Sequence, residues 1–109
     1  MWHVHRVIQT QWVALADPTR RGALELLRRA PRSVNELAAG LAVSQPTASK
    51  HLKVLRDVGL VHVHRDAQRR IYAIDPGPLA ALDAWLAPYR ALWEDRLDAL
   101  GRHLDAHPT

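Results

Sequence analysis

A mainly α-helical chain carrying one two-stranded β-hairpin, an α+β fold, is expected from three features of these 109 residues. Apolar residues recur at helical spacing in five separate stretches. One stretch, 60–74, alternates instead, with a polar and basic centre. Capping and breaking residues stand between the stretches: Asp17-Pro18, Ser33 with Glu36, Ser44 with Pro46, Gly59, and Asp75-Pro76-Gly77-Pro78.

The first helix is expected over roughly 4–15, with Ile8, Trp12 and Leu15 at helical spacing. Asp17 can cap the next helix, and Pro18 suits its first position. That helix carries Ala23, Leu24, Leu26 and Leu27 and ends before Pro31. Ser33 and Glu36 form a capping box for a short helix with Leu37 and Ala38 inward, stopped by Gly40. Leu41-Ala42-Val43 is then a three-residue turn. Ser44 caps a helix with Ala48, Leu52 and Leu55 inward, and Gly59 ends it.

In the hairpin, Val61 and Val63 share one face, and His62 and His64 the other. Residues 65–70 read as a basic turn. The last helix is expected over about 79–104, along Leu79, Leu82, Leu86, Tyr89, Trp93, Leu97, Leu100 and Leu104. These steps of three and four approach a heptad seam, and Pro88 should kink it. Three helices followed by a hairpin, with a helix on either side, make a winged helix-turn-helix.

Length, charge and cysteine count limit the function classes. One domain over 1–109 is expected, with flexible tails at 1–3 and 106–109. The chain has no Cys, which excludes disulfides, thiolate metal sites and a Cys nucleophile. No apolar run reaches membrane-span length and residues 1–10 do not resemble a secretory leader, so a cytoplasmic protein is expected. No Gly-rich phosphate loop or Ser-His-carboxylate set supports an enzyme. The net charge of +4 favours a polyanionic partner, and its placement matters more than its size.

That placement is specific. Helix 45–53 turns Gln45, Thr47, Ser49, Lys50, His51 and Lys53 away from its inward residues. Hydroxyls and an amide can reach base edges in a major groove. Ser44 and the lysines suit phosphates. His51 either touches the DNA backbone or packs at the helix edge. Arg65, Gln68, Arg69 and Arg70 crowd the hairpin tip, as a wing gripping backbone or minor groove requires. A module that keeps this fold without binding DNA would not need that polar face. A terminal helix of ~25 residues is ~38 Å long and exceeds what one small core covers. Part of the apolar surface of Ile8, Trp12, Leu82, Trp85, Leu86, Tyr89, Trp93 and Leu97 is therefore expected at a homodimer interface, the alternative being that all of it is core within one chain.

The stretches Ala14-Leu15-Ala16-Asp17-Pro18-Thr19-Arg20-Arg21, Val43-Ser44-Gln45-Pro46-Thr47-Ala48-Ser49-Lys50-His51-Leu52-Lys53-Val54-Leu55 and Gly59-Leu60-Val61 resemble the ArsR/SmtB family of bacterial transcription regulators. The tail, from Leu82-Asp83-Ala84-Trp85-Leu86 through Tyr89-Arg90 and Trp93 to Arg96-Leu97-Asp98-Ala99-Leu100, is similar to one branch of it. The resemblance spans nearly the whole chain. It implies a winged-helix homodimer, joined through the first and last helices, on an imperfect palindrome in a promoter. It also implies that a metal, or a partner protein of the START-like class, acts as effector.

The family's thiolate site lies in the helix before the turn, where this chain has Ser33-Val34-Asn35-Glu36-Leu37 and no cysteine. A second family site needs carboxylates and histidines across the last helices; Asp83 could begin it, but Trp85 stands where a His is needed. His103 and His107, one turn apart, either ligate a metal or are solvated. At the amino terminus, the Met1 amine with His3 can wrap Ni(II) or Cu(II) in a square plane, and His5 can add a ligand. Some nickel-sensing relatives also use amino-terminal histidines. Two expectations follow: Ni(II) as cofactor, or an incidental histidine arm and no metal effector, with control by a protein partner or small ligand. His62 and His64 allow either a solvated, DNA-facing or a metal role.

Overall fold

The computed structural model describes residues 10–106. The chain divides into two compact units, Met1–Leu79 and Ala80–Thr109. In the first unit a helix, α1, covers 10–15 of the described residues. It is followed by α2 (Pro18–Arg29), β1 (Arg32–Ser33), α3 (Val34–Leu41), α4 (Gln45–Asp57), β2 (Val61–Asp66) and β3 (Arg69–Ile74). The last helix, α5 (Pro76–Ala106), begins in the first unit and makes up the described part of the second.

Asp17 joins α1 to α2. Its Oδ1 accepts the backbone N–H of Thr19 at 2.8 Å and of Arg20 at 3.1 Å, with Pro18 in the first turn. Two arginines of α2 then reach back to carbonyls at the end of α1. Arg20 Nε donates to Ala14 O at 2.6 Å, and Arg21 Nη1 to Leu15 O at 2.9 Å. Orphan carbonyls of one helix are thereby satisfied by cations of the next.

The capping box at Ser33 forms in both directions, with Glu36 N–H on Ser33 Oγ at 3.2 Å and Ser33 N–H on Glu36 Oε1 at 3.1 Å. Helix α3 runs through Gly40 rather than stopping there. Its left-handed cap is Ala42, φ 56°. Gly40 serves packing: a Cβ there would stand 2.7 Å from Leu26 Cδ1. The connection into α4 is therefore Ala42-Val43-Ser44, one residue later than expected. Gly59 ends the α4 region at φ 82°, a conformation that costs a glycine little.

The sheet has three antiparallel strands in the order β1-β3-β2, not two. Arg32 and Ser33 pair with Tyr72 and Ile71. Two residues are too short to display an alternating pattern, so this strand exists only through its partner. The hairpin is also longer than expected. Strand pairing continues through Arg65–Arg70 and Asp66–Arg69, leaving Ala67 and Gln68 as the turn. Backbone hydrogen bonds carry the ladder there, and they do not need apolar side chains. Ala67 takes φ 57° at the turn.

The core of this unit gathers Ala14, Ala23, Leu27, Leu37, Leu52, Leu55, Leu60, Val61 and Tyr72. The inward positions expected for α3 and α4, namely Leu37, Ala38, Ala48, Leu52 and Leu55, are all buried.

In α5 the helix starts three residues before the expected Leu79, at Pro76, and continues through Pro88. Arg90 and Asp83 are joined at 2.6 Å, and the Trp85 and Tyr89 rings stack with centroids 5.0 Å apart. Leu82 is buried, Trp85 and Leu86 are half-buried, and Tyr89, Trp93 and Leu97 are exposed. Among the described residues no helix is long and apolar enough to cross a membrane.

Two caps give stability an acid limit. The Arg20 backbone hydrogen bond holds the Asp17 carboxyl below its ordinary 3.8. The Ser33 backbone hydrogen bond, then the Ser33 side chain, hold Glu36 below its ordinary 4.5. A carboxylate with a lowered folded pKa stabilises above its unfolded value and loses that contribution as pH falls through the folded one. Thermal stability should therefore drop as pH falls below ~4.5, first through Glu36 and then Asp17. Asp17→Ser keeps a capping oxygen without a titrating group, so its melting temperature should lose less over that range. An unchanged acid limb in Asp17→Ser would exclude this cap as a cause.

Candidate nucleic-acid interface

Helix α4 presents Gln45, Thr47, Ser49, Lys50 and Lys53 to solvent because Ala48, Leu52 and Leu55 face the core. Its entry is fixed by Ser44, whose Oγ accepts the Thr47 N–H at 3.3 Å and donates to Thr47 Oγ1 at 2.9 Å. Lys53 Nζ lies 3.0 Å from Asp57 Oδ2 one turn on. An exposed pair of this kind is weak enough to open toward a phosphate.

His51 is placed differently from its neighbours. It is half-buried beside the start of α2, with Nδ1 3.5 Å from Arg20 Nη1 and 4.0 Å from Asp17 Oδ1. This position packs His51 at the helix edge.

The wing alternates its charge. Arg65 and Arg70 are directly opposite on the face that bears Val63 and Tyr72. Asp66 and Arg69 share the other face, with His62 and His64, whose ring centroids are 6.2 Å apart. Gln68 sits in the turn. Arg69 Nη2 is 2.5 Å from Glu36 Oε1 on α3.

Two clefts show how the fold joins these segments. One, of about 270 Å³, is lined by Ser33, Val34 and Asn35 from the start of α3, by Gln45 of α4, and by Gln68, Arg69 and Arg70 of the wing. The other, of about 320 Å³, lies between α4 and β3 and is lined by Ser49, Lys53, Arg56, Asp57, Arg70 and Tyr72. Gln45 thus borders one cleft with Gln68 and Arg70, more than twenty positions away in sequence, and Arg70 reaches both clefts. Arg56 was not among the sequence candidates. It follows Ser49 by seven positions and Lys53 by three, and that helical stripe was the available signal.

The result is an exposed polar helix face, of the kind a major groove admits, flanked by cations that a phosphate backbone would meet. Among the described residues, no three His, Asp or Glu side chains gather into a metal cluster. His3, His5, Ile8 and His107 lie outside the described residues, and His103 is exposed on α5.

Comparison with known proteins agrees with this geometry. The family described as "Bacterial regulatory protein, arsR family" matches residues 17–63, from the α2 cap into β2. The HTH-type transcriptional regulator Rv2034 of Mycobacterium tuberculosis is 51% identical over 71 residues, which cover 65% of this chain and 66% of that one. The structure of an ArsR-like transcriptional regulator from Rhodococcus sp. RHA1 is 31% identical, covers 90% of this chain and 92% of that one, and superposes with a TM-score of 0.72. The homodimeric winged helix-turn-helix DNA-binding domain of a possible ArsR-family regulator from Mycobacterium bovis is 27% identical. It covers 89% of this chain and 87% of that one, with a TM-score of 0.67. With its helix-turn-helix, its wing and these relatives, the chain belongs to the arsR family of bacterial regulatory proteins, which are transcription regulators and not enzymes.

Proposed function

We propose that the chain regulates transcription by binding, as a homodimer, an imperfect palindrome in a promoter. The observation that carries this reading is the cleft where Gln45 of α4 meets Gln68, Arg69 and Arg70 of the wing. Helix α4 enters the major groove, and Gln45, Thr47 and Ser49 read base edges. Lys50, Lys53, Arg65 and Arg70 contact phosphates. Two copies then read half-sites about one helical turn apart, ~34–36 Å. The homodimeric M. bovis neighbour supports pairing.

Binding to duplexes from the chain's own promoter region, followed by fluorescence anisotropy across salt concentrations, tests this. Lys50→Ala should weaken binding to every duplex and flatten the log–log salt slope by ~0.9. Gln45→Ala should lower the operator-to-random affinity ratio, by about 1–3 kcal/mol per lost base contact. Equal losses on operator and random DNA would remove Gln45 from base reading.

As effector we propose Ni(II), held at the amino-terminal histidines. The described residues offer no alternative cluster, and the sequence pairs His3 with His5. Ni(II) should change DNA affinity where Zn(II) does not, and His3→Ala should abolish the change. DNA binding that ignores Ni(II) would pass the effector role to a partner protein.

A further inference from the structure

We propose that Glu36 competes with DNA for the wing: it holds Arg69 in the free protein and surrenders it to a backbone phosphate on docking. This rests on the DNA-binding reading above and deepens it, adding a positioning residue outside the helix that reads bases.

The contact links distant parts of the interface. Arg69 Nη2 lies 2.5 Å from Glu36 Oε1, 33 positions earlier in the chain. The carboxylate is fixed before the arginine arrives. The same Oε1 accepts the Ser33 N–H at 3.1 Å, and the Glu36 N–H returns to Ser33 Oγ. Only Arg69 has side-chain freedom left to lose in forming the pair. Both side chains stay about half exposed, 58% for Arg69 and 47% for Glu36, so an anion can reach the guanidinium.

The place of the pair gives it a role. Arg69 lines the cleft it shares with Gln45, at the start of α4, and with Arg70. A phosphate entering that cleft meets a carboxylate of its own sign beside the cation it needs. An exposed ion pair is weak, and a phosphate can accept two parallel N–H bonds from one guanidinium. DNA presents these anions densely along its axis. Exchange is then favoured once α4 is seated, whereas the free wing offers Arg65 and Arg70 without Arg69. Glu36 thus cancels the charge of one wing cation on the approach to any duplex.

Glu36→Gln is the direct test, because Gln at this position retains the capping box while losing the charge. Circular dichroism and the melting temperature confirm that the variant folds. Glu36→Gln should bind random duplex about three- to tenfold more tightly than wild type at ~0.1 M salt. Arg69→Ala should flatten the salt slope by ~0.9, as loss of one phosphate contact does. In the Arg69→Ala background, the gain from Glu36→Gln should shrink by at least about threefold. An undiminished gain there would mean that Glu36 acts only as a background charge, and would overturn the exchange. So would weaker binding by Glu36→Gln, which would mean that Glu36 orients Arg69 within the complex. Wild-type protein that shows no salt-dependent DNA binding would instead sink the functional reading itself.

Discussion

Trp93→Ala should weaken the self-association proposed above by about tenfold or more, and Leu97→Ala added to it should weaken it further. The basis is a ridge along α5. Tyr89 is 55% exposed, Trp93 63%, Leu97 48%, Leu100 53% and Leu104 60%. Their spacings of four, four, three and four place them on one stripe of the helix. Such a continuous apolar stripe is costly in water, and in the proposed homodimer a second copy would cover it by pairing like faces about a two-fold axis. A central tryptophan at an interface commonly contributes ~2 kcal/mol or more, which is about thirtyfold in affinity. Sedimentation over a dilution series reads the effect directly. DNA binding supplies a second reading, because two linked half-sites should be occupied less cooperatively. A variant that stays dimeric at the dilution where wild type begins to dissociate would remove Trp93 from the interface.

Leu52→Ala should destabilise the whole unit that carries α4, not only its exposed face. Leu52 is fully buried, and it lies on the inner side of the helix whose outer side carries Ser49, Lys50 and Lys53. Removing a buried leucine side chain costs ~2–5 kcal/mol, through lost burial and the cavity left behind. Small domains have ~5–15 kcal/mol in total, so the loss is a large share. The melting temperature should fall by roughly 15 °C, taking ~4–8 °C per kcal/mol at this size. Affinity for all duplexes should fall together as the folded fraction declines. Lys50→Ala is the contrasting case, with weaker binding and an unchanged melting temperature, because Lys50 is exposed. A shift below ~4 °C in Leu52→Ala would mean that the site collapses around the smaller side chain.

Much of the fold was legible because its signals are local. Asp17 with Pro18, and Ser33 with Glu36, act within one helical turn, and both caps form as their spacing implies. The inward stripe Ala48, Leu52 and Leu55 follows from the helical period and is buried throughout. The exposed face from Gln45 to Lys53 is the complement of that stripe, so the candidate reading surface came with it. Local signals misled at Gly40. A glycine near a helix end reads as a stop, but here its missing Cβ makes room for Leu26, and Ala42 takes the left-handed cap. That contact is between helices, and no spacing rule within α3 contains it.

The wing divides in the same way. Residue types at its tip announced a basic turn, while strand register put Arg65 and Arg70 on one face and Arg69 on the other. The side-chain period of a strand is two, so register alone decides which cations act together. The partners of His51 and Arg69 belong to this second kind. Asp17 and Arg20 meet His51 across two helices, and Glu36 meets Arg69 across 33 positions. Composition and period determined most of the elements and the buried stripes, and the likeness of whole motifs pointed to the family. Which charged groups neutralise one another was settled only when the elements packed, because an ion pair depends on distance in space and leaves no periodic trace along the chain.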